Sequence, residues 1–384
     1  MNQTNCGMMS PKFGEIVTLF GKQHKFVIND ITRLKQNPLA TAVDTYKRYL
    51  TLKTHTIHAL PIVILMPHSS CNCQCIMCDI WQGASRDQLT EADVAGLLDS
   101  LRALRTQWVV MSGGEALLNP NLFRLCDLLR ADGMKMTILS TGLLLKRYAH
   151  EVVHHSDEVI VSLDGSEDVH NAIRRIPNAY HKLREGVRAV KTLNPQFRLS
   201  ARCVIQRANF ADWPRIIDAA HEIGLDQISF LPADVSSEAF NRPELWPDDK
   251  TSTVKPAAEE LPQLKAVIET LIQTYAADFA SGYIAESPAK LRRIYDYYAA
   301  LHGLADFPVV RCNAPWVSAV VEADGTVRPC FFHQATGNIK ETALPDLLNS
   351  PAAIDFRRKL DMDTDAICRK CVCSLNLRPT KRLE

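Results

Sequence analysis

The chain has no apolar stretch long enough to cross a membrane. A span takes about 20 mostly apolar residues, and the best run here, ALPIVILM at 59–66, is far shorter. It also lacks an excess of charge. Lys and Arg number 44 and Asp and Glu 43, a formal net charge of +1, and no block of basic residues stands out. That excludes a global electrostatic attraction to nucleic acid or to an acidic membrane surface. The opening MNQTNCGMMSPKF lacks the charged-then-apolar pattern of a secretory signal, so a cytoplasmic location is expected. There are no internal repeats and no low-complexity tracts. At 384 residues the chain is long enough for two or three domains with a large core.

Cysteine is what the chain has in number. Twelve thiols without export are a poor disulfide framework, because cytosolic cysteines stay reduced, and metal or catalysis is favoured. Cys71, Cys73, Cys75 and Cys78 form one group, and Cys368, Cys371 and Cys373 another. Cys312 and Cys330 lie between them, while Cys6, Cys126 and Cys203 stand alone. Cys126, among leucines on a helix, and Cys203, on the strand face opposite Arg202, read as small core residues.

The first group sits on a repeating scaffold. PIVILM (61–66) reads as a buried strand, and the thiols begin just after it. Thr90 with Asp93 resembles a helix cap before ADVAGLLDSLRAL. WVVMSGG, KMTILSTG, EVIVSLDG, RLSARCVIQ and QISFLPAD continue as strands, with helical patterns between them, making six strand–helix units from Pro61 to Ala233. This alternation predicts an α/β fold with a parallel sheet. A full barrel takes about 250 residues, so a partial (β/α)6 TIM-like barrel, open on one side, is expected. In such barrels the chemistry sits on loops leaving the C-terminal strand ends. The cysteine loop, SGGE, STG and SLDG all fall there.

Cys71, Cys75 and Cys78 follow a C-x3-C-x2-C spacing on one loop and can reach a single centre. Structural zinc usually closes all four positions with paired C-x2-C knuckles. Three thiolates leave one iron of a 4Fe-4S cluster open to an outside ligand. Cys73 reads as a bystander, with a fourth-ligand role as the alternative. Period-two alternation puts Ile160, Ser162 and Asp164 on one strand face, and Ser200, Arg202, Val204 and Gln206 on another. Inward polar residues there suggest a lined cavity.

After the sixth strand, NRPELWPDDKTSTVKPAAEE reads as an irregular surface connection between modules. LPQLKAVIETLIQTYAADFASG and PAKLRRIYDYYAALHG read as helices that complete the barrel wall or bridge to the tail. RCNAPWVSAVVEADGTVRPC resembles a β-hairpin turning at Asp324 and Gly325, and a helix is expected around Leu344 to Leu360. Two distant cysteines plus CRKC supply four thiolates, enough for zinc or for an iron–sulfur cluster.

Cys71, Cys75 and Cys78, the GGE at Gly113 to Glu115 and the SLDG at Ser162 to Gly165 resemble the radical S-adenosylmethionine (SAM) superfamily over about residues 60 to 235. The resemblance implies that Cys71, Cys75 and Cys78 hold the catalytic 4Fe-4S cluster, whose open iron binds the amino and carboxylate groups of S-adenosyl-L-methionine. It implies that Glu115 meets the SAM ammonium and that Arg174, or its neighbour Arg175, meets the carboxylate. Met77 takes a place near the adenine that is often aromatic in the family. The expected cofactor-binding set is Met77, Gly113, Gly114, Glu115, Ser140, Ser162, Asp164, Arg174 and Arg202, the glycines letting backbone approach a ligand.

The order C…W…DG…PC…GNI…C-x2-C resembles the SPASM or shortened twitch extension of that superfamily. This implies a small C-terminal cysteine-rich α+β domain with one auxiliary 4Fe-4S cluster on Cys312, Cys330, Cys368 and Cys371, with Cys373 or His333 as substitutes. Its expected work is electron transfer, with a purely structural cluster as the alternative.

The expected segments are an N-terminal helical stretch (1–58), the barrel core (59–235), the connection and wall helices (236–305) and the auxiliary-cluster domain (306–384). The expected function is hydrogen abstraction from a small-molecule substrate, a sugar, nucleoside or biosynthetic intermediate, by a 5′-deoxyadenosyl radical, with an external one-electron donor such as flavodoxin or ferredoxin. Two alternatives remain: a maturase that oxidises or cross-links a peptide, and a structural-zinc protein that binds nucleic acid or acts as a scaffold. Residues 1–60 show no clear strand–helix set of the kind that grips a leader peptide.

Overall fold

Runs rich in Val, Ile, Leu and Met become strands here because both of their faces find apolar neighbours. They are β1 (Ile62–Leu65), β2 (Trp108–Met111), β3 (Lys135–Ser140), β4 (Glu158–Ser162), β5 (Arg198–Ile205) and β6 (Gln227–Pro232). Each pairs in parallel with the next, for example Ile64 opposite Val110 and Ser162 opposite Arg202. The computed structural model describes residues 38–383 apart from 241, 243 and 382. The expected strand order holds throughout, and the result is a partial (β/α)6 TIM-like barrel.

Between the strands run α2 (Glu91–Ala103), α3 (Leu122–Ala131), α4 (Ala149–His155), α5 (Glu167–Arg174), α6 (Ala179–Leu193) and α7 (Trp213–Glu222). The Thr90 cap forms a capping box: its hydroxyl accepts from the Asp93 amide at 3.2 Å, and its own amide donates to Asp93 Oδ2 at 2.8 Å. The outward strand residues Val63, Val109, Met136, Val159 and Leu199 pack against Leu97, Leu125, Leu183 and Val187 of these helices in one core. Burying each such side chain contributes about 1.5–3 kcal/mol. The inward face of β1 and β2, Ile62, Ile64, Trp108 and Val110, meets Trp316, Val317 and Leu377 from the end of the chain.

Several expectations are corrected. The tail hairpin does not stand apart: β7 (Ser318–Val321) joins the barrel sheet in parallel beside β1, Ile64 opposite Val320, with β8 (Thr326–Arg328) and β9 (Gly337–Asn338) antiparallel beyond it. Among the described residues one sheet of nine strands results, in the order β6-β5-β4-β3-β2-β1-β7-β8-β9. The hairpin's expected first strand begins instead with a helical turn at Ala314–Val317. The helix near 344–360 is two, Leu344–Leu348 and Pro351–Lys359, because Ser350 caps the second and Pro351 cannot continue the first.

The connection after β6 is no surface linker at its centre. Arg242 and Trp246 are buried, and a short helix, Asp248–Val254, follows. Residues 283–285 then cover the β6 edge, Ile228 N donating to Tyr283 O at 2.8 Å and Ala285 N to Ile228 O at 2.9 Å. The helix Pro288–Leu301 sends the Tyr298 hydroxyl to Ile205 O at 2.5 Å, which closes the wall on that side. Within the N-terminal segment the first helix, α1, spans Pro38–Thr54. Residues 1–37, with Cys6 and most of the stretch considered for leader binding, lie outside the described residues.

Candidate active site

The cysteine loop leaves the C-terminal end of β1 and is stitched to loops on both sides. Glu115 N donates to Ser70 O at 3.0 Å, while on the far side Gln74 N and Ile76 N donate to the carbonyls of Arg174 and Ile173, each at 3.1 Å. Those carbonyls are available because they end α5 and have no helical partner. Thr141, after β3, places its hydroxyl 2.9 Å from the side-chain amide of Asn72. Loops after β2, β3 and β4 therefore fix the thiols together.

Gly113 and Gly114 approach this loop, which gives their necessity a different cause from the expected one. A Cβ on Gly113, whose φ is +105°, would stand 2.9 Å from His68 O, and one on Gly114 would overlap Ser70 O. The crowding is with backbone of the chain.

Glu115 is buried and its carboxylate accepts four bonds: from Leu117 N at 3.1 Å, Ser140 Oγ at 3.0 Å, Thr141 N at 2.7 Å and Thr141 Oγ1 at 2.6 Å. Burial raises its pKa, and these bonds pull it back. All four acceptor positions of the carboxylate are in use, so a contact with the SAM ammonium would displace one of them. Ser140, which donates to Glu115, also accepts from Gly142 N at 3.0 Å.

On the other flank Asp164, buried just past β4, pairs with Arg174, and Arg174 Nη1 donates to Cys75 Sγ at 3.3 Å. Arg175, the rival candidate, is exposed with φ at 53°. Asp164 Oδ1 also accepts from Val204 N at 2.9 Å, and its amide donates to His170 Nδ1 at 3.1 Å. A hydrogen bond from Cys73, helped by Arg174, brings the Cys75 thiol down to about 6 against burial, and Cys73 likewise lowers Cys71. Cys73 itself is pushed far up by the same two bonds, so it stays a protonated donor to the sulfurs on either side. Burial raises Cys78 to about 12.

Three features fit these residues to a cluster with SAM. The thiols sit on one loop with a guanidinium beside them. Ser162, half-buried at the end of β4, makes no side-chain hydrogen bond among the described residues. Gln206, at the C-terminal end of β5, is fully buried with both amide atoms unpartnered. The sequence placed Gln206 on the inward face but gave no reason to single it out. Met77 packs against the small cluster of Ala233, Val235, Trp246 and Val254, and its carbonyl faces Arg242 Nη2 at 3.5 Å. Asp79, just after Cys78, accepts from Lys250 at 2.7 Å and from Trp246 Nε1 at 2.5 Å, which ties the connection after β6 onto the cysteine loop.

Arg202 stands apart from the expected SAM contacts. Its side chain lines a chamber with Cys371 and Cys373, and it lowers the pKa that burial raises at Cys373. This chamber, about 250 Å³, is walled by Cys312, Cys330, Cys368, Cys371 and Cys373 together with Ile64, Trp108 and Val110 of the barrel interior. Five thiols from three separate segments facing one space are a donor set for a cluster. Ala314 N donates to Cys312 Sγ at 3.4 Å, and Cys371 donates to Cys373 O at 2.7 Å. His333 Nε2 lies 3.3 Å from Cys368 Sγ and 3.8 Å from Asp365 Oδ1. Burial raises Cys330 to about 11. Cys126 and Cys203 are buried in the main core.

Comparison with known proteins agrees with this arrangement. Residues 65–220 match the model of the radical SAM superfamily, and residues 312–372 match the SPASM iron–sulfur cluster-binding domain. The chain belongs to the radical SAM superfamily, as a member with a C-terminal SPASM domain. Its cofactors are accordingly a 4Fe-4S cluster, SAM and auxiliary iron–sulfur.

Among curated proteins it is 22% identical over 164 residues to an AdoMet-dependent heme synthase of Methanosarcina barkeri, covering 41% of this chain and 46% of that protein. It is 26% identical over 172 residues to a pre-heme d1 synthase of Dinoroseobacter shibae, covering 44% and 42%. The chain thus spans less than half the length of these relatives. Among solved structures, Streptococcus suis SuiB bound to S-adenosylmethionine shares the fold with a TM-score of 0.60 at 14% identity, over 85% of this chain and 75% of SuiB. AnSMEcpe with bound AdoMet gives 0.57 at 18%, over 77% and 79%. Among the described residues no helix is long and apolar enough to cross a membrane.

Proposed function

We propose that this chain is a radical SAM oxidoreductase of the cytoplasm that abstracts hydrogen from a small molecule, with Cys71, Cys75 and Cys78 as the catalytic cluster's ligands. When bound there and reduced by an external donor such as flavodoxin or ferredoxin, the cluster supplies the electron that splits SAM into methionine and a 5′-deoxyadenosyl radical. The protein's part is positional. Cys73, with Arg174, favours the thiolate of Cys75, the loops after β2 to β4 hold the three sulfurs together, and Ser162 and Gln206 offer unspent polar groups to SAM. Cys312, Cys330, Cys368 and Cys371 would hold one auxiliary cluster, which would supply electron transfer at the far end of the barrel interior.

The single observation carrying this reading is the C-x3-C-x2-C loop with its Arg174–Asp164 support at the mouth of the barrel. A small-molecule substrate draws support from the two heme-synthase relatives. A peptide substrate is the second reading, favoured by the likeness to SuiB, also solved with precursor peptide SuiA, and to anSMEcpe, solved with the Cp18Cys peptide.

Anaerobic incubation with dithionite and SAM tests the reading. The chain should hold about eight iron atoms, two clusters' worth, and form 5′-deoxyadenosine. Cys75→Ala should abolish that product, whereas Cys371→Ala should keep some SAM cleavage and lose substrate turnover. A colourless, zinc-loaded protein would end the proposal. A peptide binding residues 1–60 would favour the second reading.

A further inference from the structure

The wall of the auxiliary-cluster chamber is nearly uncharged. Among the described residues that line it, Arg202 alone carries a full charge, and burial favours the neutral ring of His333, the other basic group there. The rest is thiols and apolar side chains such as Ile64, Trp108 and Phe332.

Arg202 reaches this space from the barrel. It lies in β5, opposite Ser162 of β4 and Ser229 of β6. Its Nε donates to Ser229 Oγ at 3.3 Å, and among the described residues no carboxylate lies within ion-pairing distance of its guanidinium. The charge is therefore not neutralised by the barrel's own groups. Arg202 also lines a smaller recess of about 100 Å³ that shares Cys371 and Cys373 with the chamber, so it stands at the wall where those two thiols stand. The one acid lining that recess, Glu286, is engaged elsewhere, accepting from Phe230 N at 2.8 Å and pairing with Lys290 at 3.5 Å.

A cluster held by four thiolates is anionic, and reduction adds a further negative charge to it. A fixed cation nearby therefore stabilises the reduced form more than the oxidised one, and the effect is larger where the surroundings are apolar. Net charge and outer hydrogen bonds are what a protein uses to set such potentials.

We infer that Arg202 tunes the auxiliary cluster: its positive charge, brought from β5 to the wall formed by Cys371 and Cys373, makes that cluster easier to reduce. The step is a bare electron transfer. One electron passes from a low-potential donor to the iron–sulfur core, and no bond or proton of the protein changes place. The inference rests on the auxiliary-cluster reading above and goes beyond it, because that reading does not say what sets the potential. It also gives Arg202 a role other than the SAM contact expected from its strand position.

The test is an EPR-monitored redox titration of the reconstituted full-length chain carrying Cys71→Ala/Cys75→Ala/Cys78→Ala, in which the signal and the iron content report the auxiliary cluster alone. Adding Arg202→Gln should lower the equilibrium constant for reduction about tenfold, a midpoint about 59 mV more negative, with iron content unchanged. Arg202→Lys keeps the charge and should stay nearer the parent. Ser229→Ala removes the bond to Nε without removing the charge, and Arg293→Gln removes a cation that lines the recess but not the chamber. Each should move the midpoint less than Arg202→Gln does. An unchanged or more positive midpoint in Arg202→Gln, a lysine variant as low as the glutamine one, or loss of the iron on Arg202→Gln would overturn the inference. A parent chain in this background that binds no iron would instead sink the auxiliary-cluster reading, and the inference with it.

Discussion

One guanidinium joins a ligand thiol to a buried acid: Arg174 donates from Nη1 to Cys75 Sγ at 3.3 Å and pairs through Nη2 with Asp164. The pair is almost wholly shielded from water, Asp164 at 0% exposure and Arg174 at 6%. Removing one member of a buried pair leaves the other charge uncompensated, which costs about 3–5 kcal/mol. Arg174→Gln should therefore lower unfolding free energy by about that amount in urea titrations and reduce iron retention. Arg174→Lys should recover only part of it, because an ammonium cannot reach both partners with a planar fork. A stability loss under 1 kcal/mol in Arg174→Gln would show that the pair is not a structural link.

Glu115 offers a second separation of roles. Were its purpose only to meet SAM, Glu115→Gln would leave the apo protein untouched. The carboxylate instead accepts from two backbone amides and two hydroxyls. A glutamine turns an NH2 group toward at least one of those donors, and an unsatisfied buried donor costs about 1–3 kcal/mol. Thermal or urea unfolding of the apo variant should show that loss before any SAM is added.

The strand order and the first cysteine loop are legible in the sequence because both are local signals. Short apolar runs bounded by prolines, glycines or charge mark β1 to β6, and C-x3-C-x2-C marks the loop. What is missed depends on distance. The parallel pairing of β7 with β1 joins residues more than 250 positions apart and leaves no trace in either segment. Arg242 and Trp246 sit in a stretch rich in proline and charge that reads as surface. Their burial becomes evident only when Arg242 stacks 3.8 Å over the Trp246 ring and pairs with Asp234 at 2.8 Å. Helix α5 is short and mostly polar, so its apolar residues, Ile173 above all, do not announce it. Its carbonyl end nevertheless holds the cysteine loop. Five cysteines for the auxiliary site are countable from sequence, but their shared chamber is not.

Gly114 and Gly96 make a matched pair for a third prediction. A Cβ at Gly114 runs into the Ser70 carbonyl, directly before Cys71, whereas one at Gly96, inside α2, meets nothing within 4 Å. Gly114→Ala should displace the cysteine loop and sharply lower iron content and the visible absorbance of the reconstituted protein. Gly96→Ala should keep both and raise stability by about 0.5–1 kcal/mol, the usual gain in a helix interior. Equal iron loading in the two variants would mean that the loop has slack the packing does not suggest.

His170 adds a pH-dependent contribution to stability. Burial, with Arg174 nearby, lowers its pKa from the ordinary 6.5 to about 3, and Nδ1 accepts from the Asp164 amide, so the ring is neutral in the folded chain. Above about 6.5 the ring is neutral in both folded and unfolded chains and contributes no pH slope. Between about 6.5 and 3 the unfolded chain takes up a proton that the folded one refuses, so stability falls with pH by up to about 1.4 kcal/mol per unit from this group. Replacing His170 by Gln keeps an acceptor for Asp164 N and removes the titration. Urea unfolding of the apo protein at intervals from pH 7 to pH 5 should show a shallower decline in His170→Gln than in the parent chain. Parallel declines would place the ring proton elsewhere. The same substitution should leave stability at pH 7.5 within about 1–3 kcal/mol of the parent, since there only one buried hydrogen bond has changed its acceptor.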